Sequence, residues 1–299
     1  MTLHDRKLTA LQEAKVGRSL DVRNHNTKVR PLLLSVDFAQ AELCSLAQVN
    51  IDKFGYSEMG NLINKGIDLH LYLVQTMKGI PYEELVQRKK KGDKEVKLWR
   101  QSAKAANFGF PGGLGIDKFL TYAADSYDVE LDYDEAKSMK DAWLETFPEM
   151  KQYFKWISGK LQVADHFTAV QHRSGRRRGR CGYTDGANTF FQGLTADGAG
   201  YAVIVVSEEA WLSERSPFYG WRLIGFFYDE LFGALPDRGP KANHEASYAI
   251  CDRMSKAMRV FTPDVEARCE PALQRNWCKA AEPVFNEDGR LIPWEDRKV

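Results

Sequence analysis

Apolar and polar positions along this chain change their period twice. Residues 1–30 are polar and basic, with little periodicity beyond a short helical pattern near Thr9–Ala14. Arg30-Pro31-Leu-Leu-Leu-Ser-Val-Asp37 is then a short, nearly continuous apolar run opened by proline. That predicts a buried strand delivering Asp37 at its carboxyl end. Gln40 to Ala47 carries apolar residues on one side and predicts a helix. From Tyr56 to about Lys160 the period is helical almost throughout, with helices predicted over Glu58–Lys65, Asp68–Met77, Pro81–Gln87, Asp117–Asp125, Asp132–Thr146 and Pro148–Leu161. A further helix is centred on Arg100–Phe108, and the lysine-rich Arg88–Lys97 reads as a solvated loop. Beyond Leu161 the period changes again. His166–Val170 suits a strand, a basic Gly- and Ser-containing stretch follows, and Asn188–Ser213 reads as a long helix. Gly220–Tyr228 and Leu231–Leu235 bracket Asp229-Glu230 as a hairpin with two acids at its tip. A helix (Lys241–Val260), a strand (Asp264–Cys269) and a polar tail complete the chain. The order predicts an α+β protein: strand and helix, a helical insertion, then helix, hairpin, helix and strand.

Composition narrows the classes. A hydrophobic content of 43% with 28% charged residues is that of a soluble globular protein. The net charge of +1 excludes a globally basic surface, so nucleic-acid binding has to come from local clusters. Cys44, Cys181, Cys251, Cys269 and Cys278 are scattered, with no CxxC pair, which argues for a reducing compartment and against a zinc site. No apolar run reaches membrane-spanning length, so the expectation is a cytoplasmic chain with no membrane partner.

The candidate chemistry sits in three places. Arg100, Lys104 and Phe108 are spaced i, i+4, i+8, putting two cations and a ring on one helical stripe, ended by Pro111-Gly112-Gly113. Such a stripe suits a nucleoside triphosphate, although taken alone the pattern favours an ordinary amphipathic helix. Asp37 fits a metal ligand and also a helix N-cap. Arg173, Arg176, Arg177, Arg178 and Arg180 would repel one another unless an anion lies against them; nucleic-acid phosphates are one answer, a disordered basic loop another. If the strands bearing Asp37 and Asp229 are neighbours in one antiparallel sheet, their carboxylates converge. Two converging aspartates and a triphosphate-gripping helix would hold two divalent metals for in-line nucleotidyl transfer. The occurrence of all these elements in this order favours the functional reading over the bland ones.

From about Leu33 to about Ala272 the chain resembles the family A, polymerase I-like DNA polymerases, particularly phage forms. Ser35-Val-Asp37-Phe38-Ala-Gln40-Ala-Glu42-Leu43 is similar to motif A, Arg100-x3-Lys104-x3-Phe108-Gly to motif B of the fingers, and Tyr228-Asp229-Glu230 to motif C of the palm. Asp68-Leu-His70 and Gln192-Gly-Leu-Thr-Ala-Asp197 resemble two further family elements. The resemblance implies a right-hand palm of antiparallel sheet and helices with a helical fingers insertion. It divides the chain into an N-terminal extension (1–30), a first palm part (31–55), fingers (56–165) and a second palm part (166–299). Too little chain precedes Asp37 for the thumb and exonuclease domain, which are expected to be absent, and the Asp-x-Glu pairs at Asp128 and Asp264 read as surface acids.

The implied roles follow position by position. Asp37, Asp229 and the Phe38 backbone carbonyl bind two Mg²⁺ ions, for which Mn²⁺ could substitute. Glu230 joins the catalytic set. Gln40, Glu42, His70, Arg100, Lys104 and Phe108 contact the dNTP: Glu42 closes off the sugar 2′ position, Arg100, Lys104 and His70 grip the triphosphate, Lys104 also serves as general acid toward pyrophosphate, and Phe108 stacks near the sugar. Arg173, Arg176, Arg177, Arg178, Asn188, Gln192 and Tyr228 contact DNA. Primer–template DNA and dNTPs are the implied partners, together with a separate thumb–exonuclease chain or processivity factor. The sequence departs from the family at Tyr228, where His is usual, and at Gly112, where a template-stacking Tyr is usual. Arg18 is similar to part of a Thr-Gly-Arg element but stands too close to Asp37 to take its role. A non-catalytic primer–template binding remnant and a two-metal nuclease are the alternatives; intact Asp37 and Asp229 weigh against the first, Arg100 and Lys104 against the second.

Overall fold

The computed structural model describes residues 31–162 and 165–295. The extension 1–30, with its predicted helix and Arg18, lies outside them. The chain divides into two units: the first comprises the described part of Met1–Asp37, Val203–Arg253 and Cys269–Val299, the second Phe38–Ala202 and Met254–Arg268.

The first unit is built on a four-stranded sheet of order β4-β5-β1-β6, comprising β1 (Leu32–Phe38), β4 (Arg222–Phe227), β5 (Glu230–Leu235) and β6 (Cys269–Gln274). Leu32, Leu34 and Val36 alternate into the core of this unit at 1% exposure or less, the period-two burial of a strand. β1 pairs antiparallel with β5 from Leu32 opposite Leu235 to Asp37 opposite Glu230, and β5 pairs antiparallel with β4. Gly233 lets Trp221 lie against β5, because a Cβ there would come within 2.5 Å of the indole. The expected strand Asp264–Cys269 is displaced: β6 begins at Cys269. As an edge strand β6 tolerates Pro271, whose missing N–H need not face a neighbour. The polar tail is also more ordered than expected. β7 (Val284–Phe285) and β8 (Leu291–Ile292) form a small hairpin, and the Trp294 amide donates to the Leu273 carbonyl at 2.7 Å.

The second unit is mainly helical. Its helices are α1 (Ala41–Phe54), α2 (Glu58–Asn64), α3 (Leu69–Lys78), α4 (Tyr82–Lys90), α5 (Lys94–Gly109), α6 (Ile116–Tyr127), α7 (Tyr133–Thr146) and α8 (Glu149–Lys160). Local chemistry explains the starts. Ser57, Asp68 and Asp93 accept backbone N–H groups at the N-termini of α2, α3 and α5, and Asp132 with Glu135 forms a capping box on α7. The expected loop Arg88–Lys97 is mostly helix. Leu85 and Val96 anchor α4 and α5 in the core, and Arg88 bonds to Asp93 and Glu95 across the short break. Phe110, Phe119, Trp143 and Phe147 form the aromatic centre, with Phe110 and Phe119 centroids 4.1 Å apart. Beyond α8, β2 (Phe167–Val170) and β3 (Arg177–Cys181) make a two-stranded ladder. The remaining helices are α9 (Tyr183–Leu212), five residues longer at its start than expected, and α10 (Pro240–Arg259); the division between units falls within each.

Candidate active site

Three acids of the first unit, Asp37, Asp229 and Glu230, lie at one end of the sheet. Asp37 is the residue of β1 directly opposite Glu230, the first residue of β5. Asp229 occupies the two-residue turn before it, joining β4 to β5 with Tyr228. Strand register therefore sets the Asp37 backbone opposite Glu230, one residue from Asp229. Burial raises the Asp229 carboxyl above the ordinary aspartate range; its own backbone N–H opposes this and the Glu230 charge reinforces it. Tyr228 has φ 58°, a left-handed conformation unfavourable for a bulky residue, and is 96% exposed. No three His, Cys, Asp or Glu side chains among the described residues form a metal cage by themselves. An acid pair at a strand end is nonetheless a sufficient protein contribution for Mg²⁺, which takes its other ligands from water and phosphate.

The cationic stripe of the second unit lies on α5 as expected. Arg100 Nε donates to Asp68 Oδ2 at 2.9 Å, and Lys89 Nζ from α4 reaches the same oxygen at 3.1 Å. The other oxygen, Oδ1, accepts the His70 and Leu71 amides and so caps α3. Burial would raise the Asp68 carboxyl, but Arg100 and, more weakly, His70 and Lys89 overcome it and hold it at about 2. Asp68 thus fixes Arg100 through Nε, and no acceptor among the described residues engages its two Nη groups. Lys104 makes no ion pair among the described residues, and its charge is felt at His70. His70 is only 3% exposed and its ring lies 5.7 Å from that of Phe108. Burial, against the pull of Asp68, lowers its imidazole to about 3, with Arg100, Lys104 and Lys89 acting in the same direction. The His70 ring is therefore uncharged at neutral pH. Lys89 escaped the sequence reading, and Asp68 entered it without a site role, because both meet Arg100 from other helices.

Gln40 and Glu42 flank the start of α1. Gln40 has φ 59° and its buried Oε1 has no hydrogen-bond partner. Glu42 is half-buried, and its charge acts on the Tyr122 and Tyr127 hydroxyls, which burial has already raised. Tyr122 packs against Gly109 of α5, where a Cβ would meet its ring at 3.0 Å.

The arginine cluster has anions against it, but three of them are carboxylates of the chain itself rather than nucleic-acid phosphates. Asp52 accepts Arg173 Nε at 2.6 Å and also pairs with His172; Asp197 accepts Arg176 Nε at 2.9 Å; Asp185 accepts Arg178 at 2.6 Å. The anions are internal carboxylates. Arg177 and Arg180 are exposed and form no ion pair among the described residues. Asn188 and Gln192 lie one turn apart on α9, with Gln192 exposed. The Asn188 amide covers Gly112, where a Cβ would fall 2.7 Å from Nδ2, so a side chain at 112 requires Asn188 to move.

The sequence profile described as DNA polymerase family A matches residues 13–279. The chain belongs to DNA polymerase family A. It is 25% identical to DNA polymerase I of Aquifex aeolicus over 81% of this chain and 38% of that protein. It is 30% identical to DNA polymerase I of Helicobacter pylori over 74% of this chain and 23% of that one. The chain thus spans well under half the length of these relatives. Among solved structures, the POL domain of Pol1 from M. smegmatis, in complex with DNA primer-template and dNTP, shares the fold with a TM-score of 0.60 at 19% identity, covering 84% of this chain and 40% of that one. Two positions singled out in the sequence, Gly112 and Tyr228, each have a distinct setting. The first is held by Asn188; the second stands at an exposed, strained turn. No helix among the described residues is long and apolar enough to cross a membrane.

Proposed function

We propose that this chain carries out template-directed DNA synthesis, transferring a nucleotide from a dNTP to a primer 3′-hydroxyl. In this reading it is the palm and fingers part of a split or truncated polymerase, with palm at 31–55 and 166–299 and fingers at 56–165. The observation that carries it is the β1–β5 register, which sets Asp37 against Glu230 with Asp229 adjacent in the turn. Nucleotidyl transfer needs an acid pair for metal and cations for triphosphate, and the Asp37–Glu230 pairing and the Arg100–Lys104 stripe support that reading.

The acid pair fits divalent metal. The raised Asp229 carboxyl reflects burial beside the like-charged Glu230, a penalty that a bound cation would relieve. Asp37, Asp229 and the Phe38 carbonyl would hold two Mg²⁺ ions, or Mn²⁺ in their place. Bound there, they supply acidification of the primer hydroxyl and neutralisation of charge on the phosphates. Arg100 presents its free Nη pair as a fork to phosphate oxygens, and Lys104 adds a point charge and the proton for departing pyrophosphate. Phe108 packs on the sugar, and Glu42 excludes a 2′-hydroxyl by crowding and by its own hydrogen-bond demand. Gln192, Tyr228 and Arg177 meet DNA, with Arg173, Arg176 and Arg178 shaping the β2–β3 hairpin through their carboxylates. Primer–template and dNTPs are the partners, and a separate thumb–exonuclease chain or processivity factor would supply duplex grip. Five free cysteines fit a reducing, cytoplasmic setting.

Primer extension by the purified chain with Mg²⁺ and dNTPs tests this, with Asp229→Ala as control. Extension by the wild type and none by the variant is expected. Product independent of added dNTPs would mark a nuclease, and DNA binding without extension, even with a thumb–exonuclease chain supplied, would mark a remnant.

A further inference from the structure

His70, Asn107 and Trp143 come from α3, α5 and α7 and form a buried hydrogen-bonded row. Trp143 Nε1 donates to Asn107 Oδ1 at 3.0 Å, and Asn107 Nδ2 lies 2.9 Å from His70 Nδ1. Trp143 and Asn107 are fully buried and His70 almost so, which removes water as an alternative partner. An indole N–H can only donate, so the amide atom facing it must be the oxygen. That single fact fixes an orientation which is otherwise ambiguous for an asparagine. The amide nitrogen then faces His70 and can only donate, so Nδ1 must accept. A neutral imidazole whose Nδ1 accepts carries its proton on Nε2. Protonating both nitrogens would set the Nδ1 proton against the amide protons.

The charges around the ring favour the same state. Asp68 faces it from the start of α3, Arg100 and Lys104 from α5, and Lys89 from α4, so three cations stand against one carboxylate.

We propose that Asn107, held by Trp143, is a positioning residue that locks His70 in the Nε2–H tautomer, so that the histidine meets a triphosphate as an uncharged hydrogen-bond donor. The proposal rests on the reading of Arg100, Lys104 and His70 as the triphosphate grip. In this arrangement Arg100 and Lys104 supply the charge and His70 supplies direction. An uncharged donor orients the phosphates without further tightening the hold on pyrophosphate after transfer. It also keeps the contact unchanged across physiological pH, where an ordinary histidine would switch.

The test is long-range ¹H–¹⁵N spectroscopy of the full chain, with the His70 signals identified by their loss in His70→Gln. Wild type should show an unprotonated Nδ1 and a protonated Nε2, unchanged from about pH 5 to 8. In Asn107→Asp one carboxylate oxygen still takes the indole proton while the other accepts from Nδ1. The proton should move to Nδ1 or the ring should titrate within that window. The KM for dNTP should rise by about tenfold, the loss of one hydrogen bond to a charged group, with a smaller change in kcat. Trp143→Phe frees the amide to turn and should give a mixture of tautomers in a folded chain. A protonated Nδ1 in the wild type, an ordinary histidine titration, or an Asn107→Asp spectrum like wild type would overturn the lock. Inorganic tripolyphosphate, added separately, should shift Nε2. An unmoved Nε2 in a correctly locked ring would overturn the placing of His70 at the triphosphate, a failure distinct from that of the tautomer.

Discussion

Asp37 and Glu230 are directly paired residues of the β1–β5 ladder, so Asp229, one residue earlier in a two-residue turn, is brought to the same strand end. The arrangement concentrates negative charge where burial already resists it, and its energetics can be measured.

Asp229→Asn should abolish primer extension and yet stabilise the metal-free chain. A carboxyl whose folded pKa is raised costs stability once it ionises. The gain of the variant should therefore be present at neutral pH and vanish as pH falls below the unfolded aspartate value of about 3.9. A melting temperature higher by roughly 1–3 °C at pH 7 is expected. Mg²⁺ should raise the melting temperature of wild type more than that of the variant. Equal melting temperatures at neutral pH in the absence of metal would count against the buried-charge account.

Asp68→Asn keeps a good helix cap and removes only the charge. Because the folded carboxyl is held at about 2, its ion pairs stabilise the chain fully above about pH 3.9 and lose that contribution as pH falls through about 2. The variant should lose on the order of 2 kcal/mol at neutral pH and almost nothing near pH 2. Its KM for dNTP should rise because Arg100 is no longer held by Nε. Urea titrations at several pH values, alongside steady-state extension, check both parts.

Tyr228→Gly should relieve the left-handed turn. With 96% of Tyr228 exposed, little packing is lost, and a gain of about 1 kcal/mol is expected. Affinity for primer–template should fall. A variant that is both less stable and equally tight on DNA would show that the tyrosine serves packing instead.

Arg177→Ala and Arg176→Ala should behave differently. Arg177 forms no internal ion pair among the described residues, so its loss should reduce the salt slope of DNA binding by about 1 with little effect on stability. Arg176 is held by Asp197, so its removal should leave the slope nearly unchanged and lower the melting temperature. Measuring Kd against salt concentration for both variants separates the two roles.

Much of the architecture was legible because it is local. The apolar run ending at Asp37, the two acids at the tip of a hairpin, and Arg100, Lys104 and Phe108 on one stripe are all consequences of period and spacing within short stretches. Errors came where a neighbour decided the outcome. Arg88–Lys97 reads as a loop until Leu85 and Val96 are seen to be buried, and β6 runs through Pro271 only because it is an edge.

The sequence by itself determined the element order, the acidic strand end and the cationic helix, since each depends on side chains a few residues apart. Tertiary structure alone decided which charges remain available to a ligand. Arg173, Arg176 and Arg178 are neutralised by aspartates, two of them distant in sequence, Asp68 turns Arg100, and burial leaves His70 uncharged. Burial and pairing set protonation and orientation, and both are properties of the folded surroundings rather than of any one stretch of chain.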